Sequence, residues 1–380
     1  MSAPPHTAHA RPVRVLHFVT GGFSGGATQV AIALTRAALA GGRVQPLLVL
    51  RRKWGADPAR IAQLRDEGVP LETVPRWPRV ATIAALAAIC RRFRPDVLVA
   101  HGYSEHLWGR YAGLLAGVPD LVHVEHNTRE RYTRWRLAQT RWLARRTARI
   151  VGCSEGVREA LLQRGSPPER TLAIPNGIRL APFDLADALP FARRIPGIVM
   201  VARFSRQKDH ATLLRAVALL RARGMRPPVM LAGGGKPAHR QAAERLAAEL
   251  GVQDQVQFLG VCRDVPALLT GHRISVLATH HEGMPLAILE GMAAGCAVVG
   301  SAVQGVREIV DDGVDGRLVA PADPAALAQV LESLLADPAT AARLGAAARA
   351  AALERHGLER MNRRYEELFL ALAAARGAGE

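Results

Sequence analysis

His280–Gly300, HHEGMPLAILEGMAAGCAVVG, carries the reading of the whole chain. The apolar run before it, Ile274–Ala278 (ISVLA), reads as a buried strand, Leu286–Ala294 as a helix, and Ala297–Gly300 as the next strand. A strand, a helix and a strand in such close succession form a right-handed crossover of a parallel sheet. Pro285 suits the first turn of that helix. The helix N-terminus carries roughly half a positive charge and turns free N–H groups toward whatever lies beyond the strands, which makes it a ready seat for a diphosphate. Glu282 sits in the loop before the helix and Glu290 inside it. The first can accept hydrogen bonds from sugar hydroxyls; the second can reach a ribose.

Working upstream, Ile198–Val201 (IVMV) is a strand that runs into ARFSRQKDH. Arg203 follows the strand end and Lys208 lies five residues on. Ligands of open α/β sheets bind outside the carboxyl ends of strands, so two cations here can grip a diphosphate and steady the charge that grows on it. Asp209–Arg223 reads as a helix, Val229–Ala232 as a strand ending in Gly233-Gly234-Gly235, Ala238–Leu250 as a helix and Val256–Leu259 as a strand. An Ala-rich helical tail closes the chain, with Leu358–Leu372 its last segment. The same alternation fills the first half: strand Val13–Thr20, glycine loop Gly21–Gly26 (GGFSGG), a helix to about Leu39, strand Leu47–Leu50, helix Ala81–Phe93, and strands Asp96–Ala100, Val122–Glu125 and Ile150–Cys153. Ser154 is placed to cap the helix that begins at Glu155. The pattern breaks near 180–196, where three prolines fall, and then restarts. The fold class is therefore α/β, two doubly wound domains facing one another.

The 380 residues suit two domains, and 49% hydrophobic residues suffice for two cores. The net charge of +17 is uneven: residues 1–183 hold 27 Lys/Arg against 12 Asp/Glu, and the rest 23 against 21. An acidic partner belongs to the first half, whether nucleic acid, an anionic membrane or a phosphorylated substrate. Nucleic acid is disfavoured because no helix-turn-helix, basic–aromatic strand or zinc module accompanies the charge. Cys90, Cys153, Cys262 and Cys296 form no CxxC or Cys/His spacing and read as free thiols of a cytoplasmic protein. Residues 1–11 read as a disordered lead without a signal-peptide core, and no apolar run of about 18 residues occurs.

Arg203…Lys208, Gly233-Gly234-Gly235, Phe258-Leu259-Gly260, Glu282-Gly283-x-Pro285…Glu290, Gly295-x-x-Val298-Val299 and Asp312-Gly313-x-x-Gly316 together resemble the retaining glycosyltransferases of family 4, which have the GT-B fold. The resemblance spans essentially the whole chain and is strongest over 198–320. It implies two Rossmann-like domains: an acceptor-binding one over 1–183 joined by the C-terminal helix 358–380, and a nucleotide-sugar-binding one over 184–357. It implies a sugar nucleotide as co-substrate, with no cofactor and no catalytic metal. Carried over by residue, Arg203 and Lys208 hold the donor diphosphate, Glu282 contacts the transferred sugar and Glu290 the ribose. Gly234, Gly283 and the backbone of Met284, Pro285 and Leu286 line the donor, and Gly25 and Gly26 approach it from the other domain. His126 (VEHNT) becomes the histidine near the reacting carbon, with Glu282, Arg203 and Lys208 as its catalytic companions; His101 (AHGYSEH) becomes an acceptor contact. Asn176-Gly177 reads as hinge chemistry. Gly291 stands where Ala is frequent, and Cys296-Ala297 where Pro is frequent.

No Asp-x-Asp follows a first-half strand, so the leaving charge falls to Arg203, Lys208 and the helix start. The expected reaction is transfer with retention of configuration, the leaving phosphate taking the acceptor's proton. A nucleotide-sugar epimerase of the same two-domain architecture is the alternative; it would show paired acid/base carboxylates and need no acceptor cleft. The basic, aromatic-studded stretch 129–149 (RERYTRWRLAQTRWLARRTAR) fits either a helix lying on an anionic membrane or one that packs Trp135 and Trp142 inward. The resemblance favours a glycan or lipid-linked acceptor of polysaccharide or lipopolysaccharide assembly, and a cytoplasmic protein, peripheral at the inner face of the membrane.

Overall fold

The computed structural model describes residues 11–23, 25–53, 58–129 and 132–377. The expected disordered lead lies, apart from Arg11, outside these residues, as do Ser24 of the glycine loop and residues 130–131 of the basic stretch.

Two wholly parallel sheets organise the chain. The first has strands β1 (Val13–Thr20), β2 (Val44–Arg51), β3 (Leu71–Val74), β4 (Val97–His101), β5 (Asp120–Glu125), β6 (Arg149–Gly152) and β7 (Thr171–Ala173), in the order β3-β2-β1-β4-β5-β6-β7. The second has β8 (Ile195–Val201), β9 (Val229–Ala232), β10 (Val256–Gly260), β11 (His272–Leu277), β12 (Ala297–Ser301) and β13 (Arg317–Val319), in the order β10-β9-β8-β11-β12-β13. Both reverse direction of winding once, between β1 and β4 and between β8 and β11. Crevices open at such switch points, outside the carboxyl ends of the strands. The two crevices hold the loops that follow β1 and β4, and those that follow β8 and β11.

Central strands such as β1 and β12 are buried on both faces, which is why they read as unbroken apolar runs. The expected strands and helices are present with shifted ends: α8 is His210–Ala222 with Asp209 outside as its cap, and α11 is Leu286–Ala293 with Pro285 outside as its cap. Helix α2 (Pro58–Asp66), helix α4 (Glu105–Leu115) and the short edge strands β3, β7 and β13 had no sequence reading. Ser154 does cap α6 (Glu155–Gln163), its Oγ accepting the Val157 N–H at 3.2 Å.

The last helix, α15 (Leu358–Gly377), returns to the first sheet. Its apolar stripe Met361, Tyr365, Phe369 and Leu372 recurs at helical spacing and buries against Val15 of β1 and Val97 and Val99 of β4. The large core of the second lobe extends into the first through Ile150, Cys153, Val157 and Leu161. All four cysteines are unpaired. Among the described residues no helix is long and apolar enough to cross a membrane.

Candidate functional site

In the second lobe the loop after β8 carries Arg203. Its backbone is pressed against the Gly233–Gly235 loop after β9: a Cβ on Gly233 would lie 2.0 Å from the Ala202 carbonyl oxygen, and Gly233 has φ +156°. Only glycine allows that approach, so the triple glycine sets where Arg203 sits. Among the described residues the Arg203 guanidinium has no hydrogen-bond or ion-pair partner. Lys208, farther along the same loop, bridges to Thr279 after β11. Its Nζ lies 2.5 Å from Glu282 Oε1, which also accepts the Thr279 hydroxyl at 2.6 Å. Gln207 Nε2 donates to the His281 carbonyl at 2.7 Å. The two loops at the switch point are thus zipped together around a nearly buried Lys208–Glu282 pair.

Helix α11 starts at this loop. Of the expected backbone donors, Pro285 has no N–H, which leaves Met284 and Leu286. Its carboxyl end is held by two arginines that sequence reasoning missed. Arg194 Nη1 donates to the Ala294 and Gly295 carbonyls at 2.7 and 3.1 Å, and Arg349 Nη1 to the Ala293 carbonyl at 2.5 Å. Cations there offset the negative end of the helix. Both had ambiguous surroundings in the sequence, one in a proline-rich break and one in an Ala-rich tail. Glu290 lies in the middle of α11, and burial pushes its carboxyl up to about 7. Gly291 has a local cause: a Cβ would stand 2.7 Å from Ser275 Oγ of β11.

In the first lobe Gly25 caps α1 (Gly26–Gly41), and a Cβ on Gly26 would meet nothing within 4 Å. A ligand can approach the backbone there. His126 follows β5, and His101 ends β4. His101, expected as an acceptor contact, has no accessible surface here and lies behind His126, because β4 is an inner strand with both faces covered. His101 Nδ1 is 3.3 Å from His126 Nε2, and His101 Nε2 is 3.1 Å from His17 Nδ1 of β1. Burial drives His126 and His17 down to about 4 and about 3, and His101 well below its usual value, so all three rings are neutral near pH 7. Next to them, His106 stacks on His123 at 4.2 Å, and the wholly buried Arg110 contacts the His106 ring and the Thr147 hydroxyl.

The lobes meet at these loops. A Cβ on Gly283 would stand 2.2 Å from the His126 carbonyl oxygen. Thr128 Oγ1 donates to the Glu282 carbonyl at 3.1 Å, Asn127 Oδ1 lies 3.2 Å from His281 Nδ1, and Asn176 Nδ2 donates to the Met284 carbonyl at 3.2 Å. Asn176 therefore ties the inter-lobe segment to the start of α11. Glu308 of the second lobe accepts the N–H groups of Glu155 and Gly156 at 2.8 and 2.7 Å, clamping the start of α6. Lys208 and Glu282 thus pair at the loop that leads into α11, that loop meets the His126 backbone of the other lobe, and Arg203 stands at the head of the Lys208 loop. Among the described residues no three His, Cys, Asp or Glu side chains are grouped to hold a metal ion.

Helix α5 (Arg134–Ala144) lies within the basic stretch. Trp135 is 74% exposed and Trp142 45%, which overturns the inward-packed alternative. Trp142 is covered on one face by Arg146, 3.9 Å from the ring centre.

Residues 24–181 match the family model described as Glycosyltransferase Family 4, and residues 188–351 the model described as Glycosyl transferases group 1. The putative glycosyltransferase EpsD of Bacillus subtilis is 33% identical over 156 residues, 41% of this chain and 40% of that protein. The lipopolysaccharide core biosynthesis glycosyltransferase LpsE of Rhizobium meliloti is 28% identical over 337 residues, 87% of this chain and 92% of that protein. Against several of its curated relatives the match spans only about half their length, as with the D-inositol 3-phosphate glycosyltransferase of Geodermatophilus obscurus at 45%. The crystal structure of Anabaena HepE with UDP and glucose superposes with a TM-score of 0.81 at 21% identity, over 94% of this chain and all of that one. At that identity the likeness is one of fold.

Proposed function

The chain belongs to the group 1 and family 4 glycosyltransferases and has their GT-B fold, and from that premise we propose that it moves a sugar, with retention, from a nucleoside-diphosphate donor to a glycan or lipid-linked acceptor. The observation that carries the reading is the Lys208–Glu282 pair before the start of α11, on loops that leave the switch point of the second sheet and meet the His126 backbone, with Arg203 at the head of the Lys208 loop. Arg203 and Lys208 bind the diphosphate, together with the leading N–H groups of α11 and the backbone of Gly234 and Gly283. Glu282 takes the sugar hydroxyls, Glu290 the ribose, and Gly25 and Gly26 admit the donor from the other side.

The bond from the anomeric carbon to the phosphate oxygen breaks while the acceptor oxygen closes on the same face. The acceptor's proton passes to the leaving phosphate. Two cations and a helix start stabilise the developing charge and are aimed before it forms. This chemistry asks for no metal. The epimerase alternative finds no support in the family matches. The names of the lipopolysaccharide relative and of the UDP complex favour an acceptor of envelope-glycan assembly and a UDP-sugar donor. The exposed aromatic rings of α5 among arginines favour a peripheral site at the inner face of the membrane.

The test is turnover of UDP-, GDP- and ADP-sugars by the full chain, with and without EDTA. Lys208→Ala and Glu282→Ala should each cost about 10²–10³ in turnover, and EDTA should cost nothing. Near-normal turnover in either variant, or loss of activity on chelation, overturns the reading.

A further inference from the structure

Behind His126 lies a row of imidazoles with no assigned role. His17 Nδ1 is 3.1 Å from His101 Nε2, and His101 Nδ1 is 3.3 Å from His126 Nε2. The rings of the first pair are tilted and those of the second stacked, with centres 5.4 and 5.6 Å apart. The remaining nitrogen, His126 Nδ1, is buried and has no partner among the described residues. A buried polar atom left bare is costly, and the backbone carbonyl of the same residue meets Gly283 of the other lobe.

A neutral imidazole has one N–H and one lone pair. His101 uses both nitrogens, so it must accept at one and donate at the other. If Nε2 accepts from His17, Nδ1 donates to His126, whose own hydrogen must then sit on Nδ1. If the direction is reversed, all three rings carry hydrogen on Nε2, and His126 Nδ1 presents a lone pair. Mixed arrangements leave one contact without a hydrogen or with two. Burial keeps the rings uncharged and so prevents the doubly protonated form that would relax the rule. His17 is in turn held edge-on by Phe369 of α15, 5.8 Å between ring centres.

We propose that His17 and His101 are positioning residues, a three-imidazole relay that makes the tautomer of His126 collective and thereby sets whether Nδ1 donates to, or accepts from, a hydroxyl of the bound sugar. The functional part rests on the donor reading of the cleft; the relay itself does not. His17 touches no ligand, yet its substitution reaches His126 through two hydrogen bonds.

The test is the ring-nitrogen spectrum of the full chain labelled with ¹⁵N-histidine, His126 being assigned by the signal lost in His126→Gln. In the native chain His17, His101 and His126 should share one tautomer. His17→Phe removes the bond and keeps a ring in the space; His126 should then shift to the other tautomer or to a mixture, and turnover should fall about tenfold, the size expected when a side chain that orients a working histidine is lost. His17→Asn, whose amide can donate or accept in place of Nδ1, should restore both. Unlike tautomers in the native chain, or a His126 spectrum unmoved by His17→Phe, overturn the relay. A shared tautomer in a protein that turns over no sugar nucleotide sinks the donor reading and leaves the relay standing.

Discussion

Gly283→Ala separates closure of the cleft from stability of the fold. The new Cβ would stand 2.2 Å from the His126 carbonyl oxygen, 2.8 Å from its carbon and 3.0 Å from Cys153 Sγ. The first two are backbone atoms of a loop tied down by Thr128 and Asn127, so they cannot swing aside as a flexible side chain would. Overpacking of this kind costs about 1–3 kcal/mol. Here the clash is between lobes, and the molecule can relieve it by opening. The cost therefore falls on the closed state, whose population relative to the open one should drop about 5- to 150-fold. Gly291→Ala is the internal comparison: its Cβ would be 2.7 Å from Ser275 Oγ within one lobe, so that cost should appear as a lowered thermal midpoint. The assay joins small-angle scattering, thermal unfolding and kcat/KM with the sugar nucleotide that supports turnover. Gly283→Ala should expand the particle and lower kcat/KM by that factor while the thermal midpoint holds. Native scattering with native kcat/KM would refute the claim that this glycine lets the lobes meet.

Two further predictions concern charge. Glu290 has its carboxyl raised by burial from 4.5 to about 7, so the stability contributed by its neutral form is complete below about pH 4.5 and is lost as pH rises through about 7. Glu290→Gln keeps that contribution, and in chemical denaturation at pH 5 and pH 8 its advantage over the native chain should grow with pH; an equal difference at both would refute the assignment. On anionic vesicles the chain should bind less as salt rises, and Trp135→Ala, which removes a 74% exposed ring, should weaken binding further. Binding indifferent to both would remove α5 as the contact.

What the sequence made legible was whatever repeats locally. Central strands such as β1 and β12 stand out because a strand covered on both faces must be apolar throughout. The short edge strands β3 and β7, four and three residues long, escaped notice because so few residues hold no period. In the site, Arg203, Lys208, Glu282 and Glu290 were visible because each follows or enters a readable element at the carboxyl side of the sheet. Arg194 and Arg349 were not: they hold the far end of α11 from segments distant in the chain, and no local pattern marks a side chain for a helix end that reaches it only after folding.

The sequence alone determined the two doubly wound domains, most of their strands and helices, and the loops that follow the central strands, since all of these follow from hydrophobic period and backbone punctuation. Tertiary structure alone decided that Lys208 pairs with Glu282, that Gly283 rests on the His126 carbonyl, and that His101 stands behind His126 and before His17. Those contacts join residues 25 to 157 positions apart. Their distances depend on sheet order and lobe closure, which a one-dimensional pattern does not contain.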